Sequence, residues 1–282
     1  MVYKKSTMEK LVKNFYKNKK ILITGATGFK GAWLSYWLYL MNAKVIGVGR
    51  KPNMNENLFK KLRLKKKIKT KYFDIRDKKK LETLIKKFKP AIIFHLAAQP
   101  IISLGYKRPE ETITVNSLGT LNIIEICKNL KFVKSIVCVT SDKCYENNFS
   151  TKGFKENDKL GGSDPYSASK ASAEIIVKSY LESFYLKNKK GLATGRAGNV
   201  IGGGDWSPNR LIPDCVKWIT KNKLIYLRRP NFNRPWQHVL EPLYGYLILG
   251  YKLFQDPLKY SGAWNFGSKK NTTTSVYQVV KK

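Results

Sequence analysis

A short apolar stretch, Lys20–Thr24 (KILIT), runs directly into Gly25-Ala-Thr-Gly28-Phe-Lys-Gly31 and then into a helix-like segment, 29–41, rich in aromatic residues and leucine. Few folds accept that order. A strand that ends on glycine and reopens as a helix turns tightly, and the helix start presents unpaired N–H groups and a positive dipole end to an anion. The anion such a turn suits is a pyrophosphate, which places Gly25, Thr27, Gly28, Phe29, Lys30 and Gly31 among the candidate cofactor-binding residues. Further strands are expected at 44–48, ending near 73, and at 91–95, 135–140 and 192–197, with helices over 78–88, 110–130 and 165–186. Strands alternating with helices at this spacing predict an α/β fold, a doubly wound parallel sheet with crossover helices on both faces. Beyond Gly202 the alternation is lost, and glycine, proline, tryptophan and asparagine become frequent. Three parts are expected: a basic N-terminal extension, 1–18, a dinucleotide-binding domain, 19–198, and a smaller C-terminal substrate lobe, 199–282.

The chain has 282 residues, enough for one large α/β core with a small lobe sharing its cleft. Its formal net charge of +35 points first to a polyanion or a membrane surface. Only nine of the 54 basic residues are arginine, however, and the lysines are spread over polar helix faces, so a solvated lysine-rich surface is the expectation and no nucleic-acid partner is assigned. Lysine is absent from 90–106, 160–169 and 191–216, which marks these as stretches where residue choice is restricted. No apolar run reaches the ~20 residues of a membrane span, and the leader lacks the apolar core of a secretion signal, so a cytoplasmic location is expected. Cys127, Cys138, Cys144 and Cys215 have neither paired metal-ligand spacing nor a disulfide framework, and His95 and His238 are too far apart in sequence to suggest a metal.

Tyr166-Ser-Ala-Ser-Lys170 puts a phenol and an ammonium one helical turn apart on one face. A nearby positive charge is expected to lower the phenol toward working pH, so that it can take a proton from a sugar hydroxyl. Thr140-Ser141-Asp142-Lys143 follows a strand and brings hydroxyl, carboxylate and amine to the carboxyl edge of the sheet, where ligands of open α/β folds bind. After the second strand, where an acidic residue would hold the ribose of NAD, the chain carries Gly49-Arg50-Lys51, and Arg50 there could meet the 2′-phosphate of NADP. Asp74 and Ile75 end the next strand within reach of an adenine.

The glycine spacing resembles that of the extended short-chain dehydrogenases/reductases. TSDKCYEN (140–147), LGGSDPYSASK (160–170), RAGNVIGGGDW (196–206), RLIPD (210–214) and RPWQHVLEPLYGYL (234–247), with HLAAQP (95–100) and GAWNFG (262–267), are similar to the CDP-glucose 4,6-dehydratase branch of the NAD-dependent epimerase/dehydratase family. The resemblance covers nearly the whole chain from Lys20. It implies a Rossmann-like fold, NAD as cofactor with NADP less favoured, CDP-glucose or a similar nucleotide sugar as substrate, and a homodimer or homotetramer. It assigns Tyr166, Lys170 and Ser141 or Thr140 to oxidation at C4, Asp142 as acid at the C6 hydroxyl, and Lys143 to the place of the C5 base. The cofactor set it implies adds Leu96, Ala97, Ala98, Gln99 and Asn116; the substrate set is Asn199, Arg210, Leu211, Arg234 and His238. Family members usually continue several tens of residues past GAWNFG, so a truncated substrate lobe is expected.

Overall fold

The computed structural model describes residues 5–52, 57–146, 153–267 and 273–281; Asn147, at the end of the TSDKCYEN motif, lies outside them. In chain order the elements are α1 (Lys5–Tyr16), β1 (Lys20–Thr24), α2 (Phe29–Leu40), β2 (Lys44–Gly49), α3 (Leu58–Lys61), β3 (Lys69–Tyr72), α4 (Lys78–Phe88) and β4 (Ile92–His95). Then come α5 (Ile102–Lys107), α6 (Pro109–Ile113), α7 (Gly119–Cys127), β5 (Ser135–Val139), α8 (Pro165–Tyr180), β6 (Gly191–Ala197) and β7 (Asn199–Ile201). The chain closes with α9 (Leu211–Ile219), β8 (Asn233–His238), α10 (Leu240–Gln255), α11 (Pro257–Tyr260), β9 (Gly262–Phe266), β10 (Thr273–Ser275) and α12 (Val276–Lys281).

Seven strands form one sheet in the order β3-β2-β1-β4-β5-β6-β9, every neighbouring pair parallel. Strand order reverses between β1 and β4, so their carboxyl ends open a crevice at which a ligand can lie. Parallel strands covered on both faces are buried along their length, as β4, β6 and all of β1 but Lys20 are, and two apolar layers fill the faces. Near the Asp142 side, β10, β8 and β7 make a second, three-stranded sheet.

Two boundaries differ from expectation. The basic leader folds as α1 and is part of the core: Val12 and Tyr16 are fully buried, and the Tyr16 hydroxyl donates to the carbonyl of Leu247 at 2.7 Å. Lys10 and Lys13 occupy the solvent side of an amphipathic helix, which in sequence looks like a charged tail. Nor does 199–282 form a separate lobe, because β9 adds to the main sheet beside β6 and α10 buries Leu243, Tyr246, Leu247 and Leu253 against the same core as β1 and β4. The chain leaves the sheet after β6, builds the small sheet and returns.

His95, at the end of β4, is buried, with Nδ1 2.6 Å from the Thr24 hydroxyl and Nε2 3.1 Å from that of Thr120. Burial, with Lys170 adding to it, pushes the imidazole down to about 3. The folded chain therefore binds fewer protons here than the unfolded chain: the stability His95 contributes is complete above the unfolded value near 6.5 and is lost as pH falls below it. Acidifying from pH 6.5 to 5 should cost roughly 2 kcal/mol through this one group. Melting curves at both pH values for the wild type and His95→Gln check this; an equal drop in both would rule it out.

Candidate active site

Gly25 has φ +72°, and a Cβ there would come within 2.7 Å of the backbone of Leu96 and Ala97. At Gly31 a Cβ would lie 2.0 Å from the Gly25 carbonyl oxygen. Only glycine lets β1, the turn and α2 pack this closely, and the space kept clear is a cradle over the start of α2. Gly28 caps that helix without a side-chain acceptor, leaving first-turn N–H groups to an incoming anion. The Thr27 hydroxyl donates to the Arg50 carbonyl at 2.9 Å, tying the turn to the end of β2. These features fit the pyrophosphate of a nicotinamide dinucleotide.

Around this turn lies a cleft of about 1070 Å³, and Gly25, Thr27, Gly28, Phe29, Lys30, Gly31, Arg50, Asp74, Ile75, Leu96, Ala97, Ala98 and Gln99 all line it. The Arg50 guanidinium is paired with Glu111 at 3.1 Å. Arg76 grips Asp74 through Nε and Nη2, holding its carboxyl below the usual carboxylate range. Asn116 is placed differently from expectation. It is buried outside the cleft lining, where its Oδ1 accepts from the Gln99 N–H at 2.8 Å and its Nδ2 donates to the Gln99 carbonyl and the Ser169 hydroxyl. Every polar atom of its side chain is spent bracing the 96–99 loop against α8, which spacing in sequence cannot reveal.

The chemical groups stand on the opposite wall. β5 ends at Val139, and Ser141 caps a short 3₁₀ turn, 142–144, accepting from the Lys143 N–H at 3.3 Å while its hydroxyl donates to Asp142 Oδ1 at 2.9 Å. Asp164 caps α8 by accepting from the N–H groups of Tyr166 and Ser167, with Pro165 at the first helical position. That cap aims Tyr166 and, one turn on, Lys170 at the same cleft, where both join Thr140, Ser141, Asp142 and Lys143 in the lining. Lys143 Nζ lies 3.5 Å from Asp142 Oδ2, with both side chains about one-third exposed. Asp142 is thus open to the cleft.

Electrostatics here corrects the sequence expectation for Tyr166. Burial pushes its phenol up to about 12, with a hydrogen bond to Ser141 pulling the other way and the Asp142 carboxylate adding to the rise. The Lys170 ammonium does not bond the phenol; it donates to the Val139 carbonyl at 3.3 Å, and burial brings it down to about 8 against the pull of Glu174. Desolvation of the phenolate outweighs the neighbouring charge.

Thr140 and Ser141, interchangeable in the motif, part company in three dimensions. The Thr140 hydroxyl donates to Glu174 Oε1, whose other oxygen accepts from Thr194 at 2.8 Å and from Arg196 at 2.7 Å. Arg196 continues to the Tyr145 hydroxyl and the Glu156 carbonyl, each at 2.8 Å, and Tyr145 donates to Asn265 in β9. Glu174 and Arg196 form a buried pair under the 141–143 turn that sequence reasoning passed over. A signal was present: Glu174 sits four residues after Lys170, on the same helix face, in a chain poor in acidic residues.

On the small-sheet side, Asn199, Arg210, Leu211 and Arg234 line the cleft, joined by Trp218, Tyr226, Arg228 and Arg229, which were not singled out in the sequence. Arg210 pairs with Asp205 at 3.2 Å. His238 does not line it. Its Nδ1 accepts from the Leu240 N–H at 3.3 Å and it is exposed at the last position of β8, where the chain turns into α10, while Arg234 and Trp236 line the cleft. Among the described residues no cluster of histidine, cysteine or carboxylate groups could hold a metal, and no helix is long and apolar enough to cross a membrane.

The sequence profile of the GDP-mannose 4,6 dehydratase family matches residues 22–248. The chain belongs to this family. Within it, the chain is 44% identical to a CDP-glucose 4,6-dehydratase of Salmonella typhimurium over 275 residues, 96% of this chain and 77% of that one. A dTDP-D-glucose 4,6-dehydratase of Dictyostelium discoideum is 33% identical over 73% of this chain and 49% of its own length. The crystal structure of dTDP-glucose 4,6-dehydratase from Bacillus anthracis in complex with NAD superposes with a TM-score of 0.77 at 25% identity, covering 93% of this chain and 79% of that one. An epimerase of Methanothermobacter thermautotrophicus reaches a TM-score of 0.81 at 22% identity over 99% of this chain and 80% of its own, a likeness of fold.

Proposed function

We propose that this chain removes water from CDP-glucose to give CDP-4-dehydro-6-deoxyglucose, with NAD as a cofactor that is regenerated in each turnover. The observation that carries this reading is one cleft lined both by the dinucleotide turn and by Tyr166, Lys170, Ser141, Asp142 and Lys143. The 44% identity to a CDP-glucose 4,6-dehydratase supports the choice of nucleotide.

Bound NAD would accept the C4 hydride, return it at C6 and, while oxidised, add a positive charge that favours phenolate. Tyr166 takes the proton of the sugar 4-hydroxyl as the C4–H bond breaks, leaving a ketone. Ser141, bonded to the phenol, steadies it in either state. The ketone acidifies C5, whose proton leaves to a base while Asp142 protonates the departing C6 hydroxyl, so that water is lost across C5 and C6. Hydride then adds at C6 and a proton at C5, restoring charge balance. Lys143, whose Nζ lies 3.5 Å from Asp142 Oδ2, is the group assigned to that base, a role it fills only as the neutral amine. Arg210 and Arg234, with Asn199 and Leu211, hold the sugar and its diphosphate, guanidinium being suited to bidentate phosphate contacts.

Incubation with CDP-glucose deuterated at C4 tests the reading: a 4-keto product lighter by one water and labelled at C6 is expected, and unchanged substrate would overturn it. The reading includes pairing of two chains through the helical stretches 110–130 and 165–186, where Leu118, Ile175 and Phe184 are exposed, and a cytoplasmic setting that keeps the four free cysteines reduced. Light scattering on the active preparation should give at least twice the chain mass, and full activity at the mass of one chain would remove the pairing.

A further inference from the structure

The corner of the cleft beyond β2 holds an ion pair that the chemistry at Tyr166 does not use. In a doubly wound dinucleotide fold the chain after the second strand meets the adenosine ribose, and an arginine there can take the 2′-phosphate that distinguishes NADP from NAD. Arg50 follows β2, and its backbone is fixed: its carbonyl accepts from the Thr27 hydroxyl, and a Cβ on Gly49 would strike the Thr27 side chain. Only the Arg50 side chain has freedom, and Glu111 takes it up. Glu111 stands in α6, 61 residues further along the chain, and its Oε1 accepts from Arg50 Nη1 at 3.1 Å.

Glu111 is the fixed member of the pair. Its side chain is 21% exposed against 68% for Arg50, and its Oε2 accepts from Arg108 Nη1 at 3.4 Å, so two guanidiniums come to one carboxylate. Arg50 and Glu111 both line the cleft, beside Phe73, Asp74 and Ile75. The arginine next to that wall is engaged as well: Arg76 gives Nε and Nη2 to Asp74 and Nη1 to Thr114. Lys51 lines the cleft too, but on its exposed side. A 2′-phosphate entering here would meet the Glu111 carboxylate, and the Arg50 pair would have to break before that guanidinium could turn to it. The 2′-hydroxyl of NAD carries no charge and requires neither change.

We propose that Glu111 decides between NAD and NADP, by holding Arg50 away from a 2′-phosphate and setting a negative charge beside it. The proposal rests on the reading above that a nicotinamide dinucleotide occupies this cleft. Arg50, which in sequence points toward NADP, is thus cancelled by a carboxylate from a helix that the fold brings against the end of β2. Losing one charge-assisted bond to a phosphate, with a like charge left facing it, is worth on the order of ten-fold in binding at a partly exposed site.

Equilibrium dialysis of NAD and of NADP, separately, against the wild type, Glu111→Gln, Arg50→Gln and the double variant reads the choice without turnover. Glu111→Gln keeps the size of the side chain and removes its charge, and it should tighten NADP relative to NAD by on the order of ten-fold. Arg50→Gln should cost NADP far more in the Glu111→Gln background than in the wild type, because only there is the guanidinium free to meet the phosphate. If Glu111→Gln does not fold, Glu111→Ala replaces it in the same comparison. An unchanged ratio in Glu111→Gln overturns the proposal, as does a gain that survives intact in the double variant, which would leave Arg50 no part in it. A wild type that binds NADP more tightly than NAD overturns it too. A wild-type chain that binds neither dinucleotide would instead remove the reading of the cleft, so the two failures are distinguishable.

Discussion

Tyr166→Phe is expected to lower kcat on CDP-glucose about 10³-fold while leaving dinucleotide binding and the melting temperature close to those of the wild type. The change deletes one oxygen. It removes the acceptor for the 4-hydroxyl proton and the bond to Ser141, but leaves the buried ring and the Asp164 cap that sets the start of α8. Because oxidation at C4 precedes every later step, no ketone should accumulate either. Rapid mixing of the variant with excess substrate, followed by the absorbance of reduced dinucleotide, separates the steps. Turnover within ten-fold of the wild type would mean that another group takes the proton.

Glu174→Gln should act on the fold before it acts on chemistry. The carboxylate is buried with Arg196 and holds Thr140, Thr194 and the guanidinium together. Removing one partner of such a pair leaves a buried charge uncompensated and costs about 3–5 kcal/mol. In a chain of this size the melting temperature should fall by roughly 10 °C. Glu174→Gln combined with Arg196→Met removes both charges and should regain part of that loss. Calorimetry on the three proteins decides: a single variant within about 2 °C of the wild type would show that the pair contributes little.

Much of the fold was legible because its signals are local. The strand-glycine-helix order at 20–41 needs only the conformational freedom of glycine, and both Gly25 and Gly31 sit where a Cβ cannot fit. Tyr166 and Lys170 share a helix face by spacing alone, and an Asp-Pro start predicts where that helix begins. Alternating strands and helices were equally readable, apart from one-turn interruptions: the stretches 114–118 and 181–185 wind as π-helical turns within segments that look continuous in sequence.

Other assignments needed partners remote in the chain. Asn116 resembles a ligand in sequence, but Gln99 and Ser169 use its whole amide; His238 belongs to a recognisable motif, yet it is left exposed where β8 ends and the chain turns into α10. The leader reads as a charged tail until Leu247 accepts from Tyr16 across the molecule.

From its sequence alone the chain determined a parallel α/β sheet, the turn that suits a pyrophosphate and the helix face shared by Tyr166 and Lys170, since each follows from backbone geometry or from residues within one helical turn. Tertiary structure alone decided which hydroxyl of Thr140 and Ser141 meets the phenol, that Tyr166 is raised rather than lowered, and that β9 and α10 complete the main core. Those outcomes depend on burial and on hydrogen-bond partners brought together from distant parts of the chain, and neither can be read from spacing.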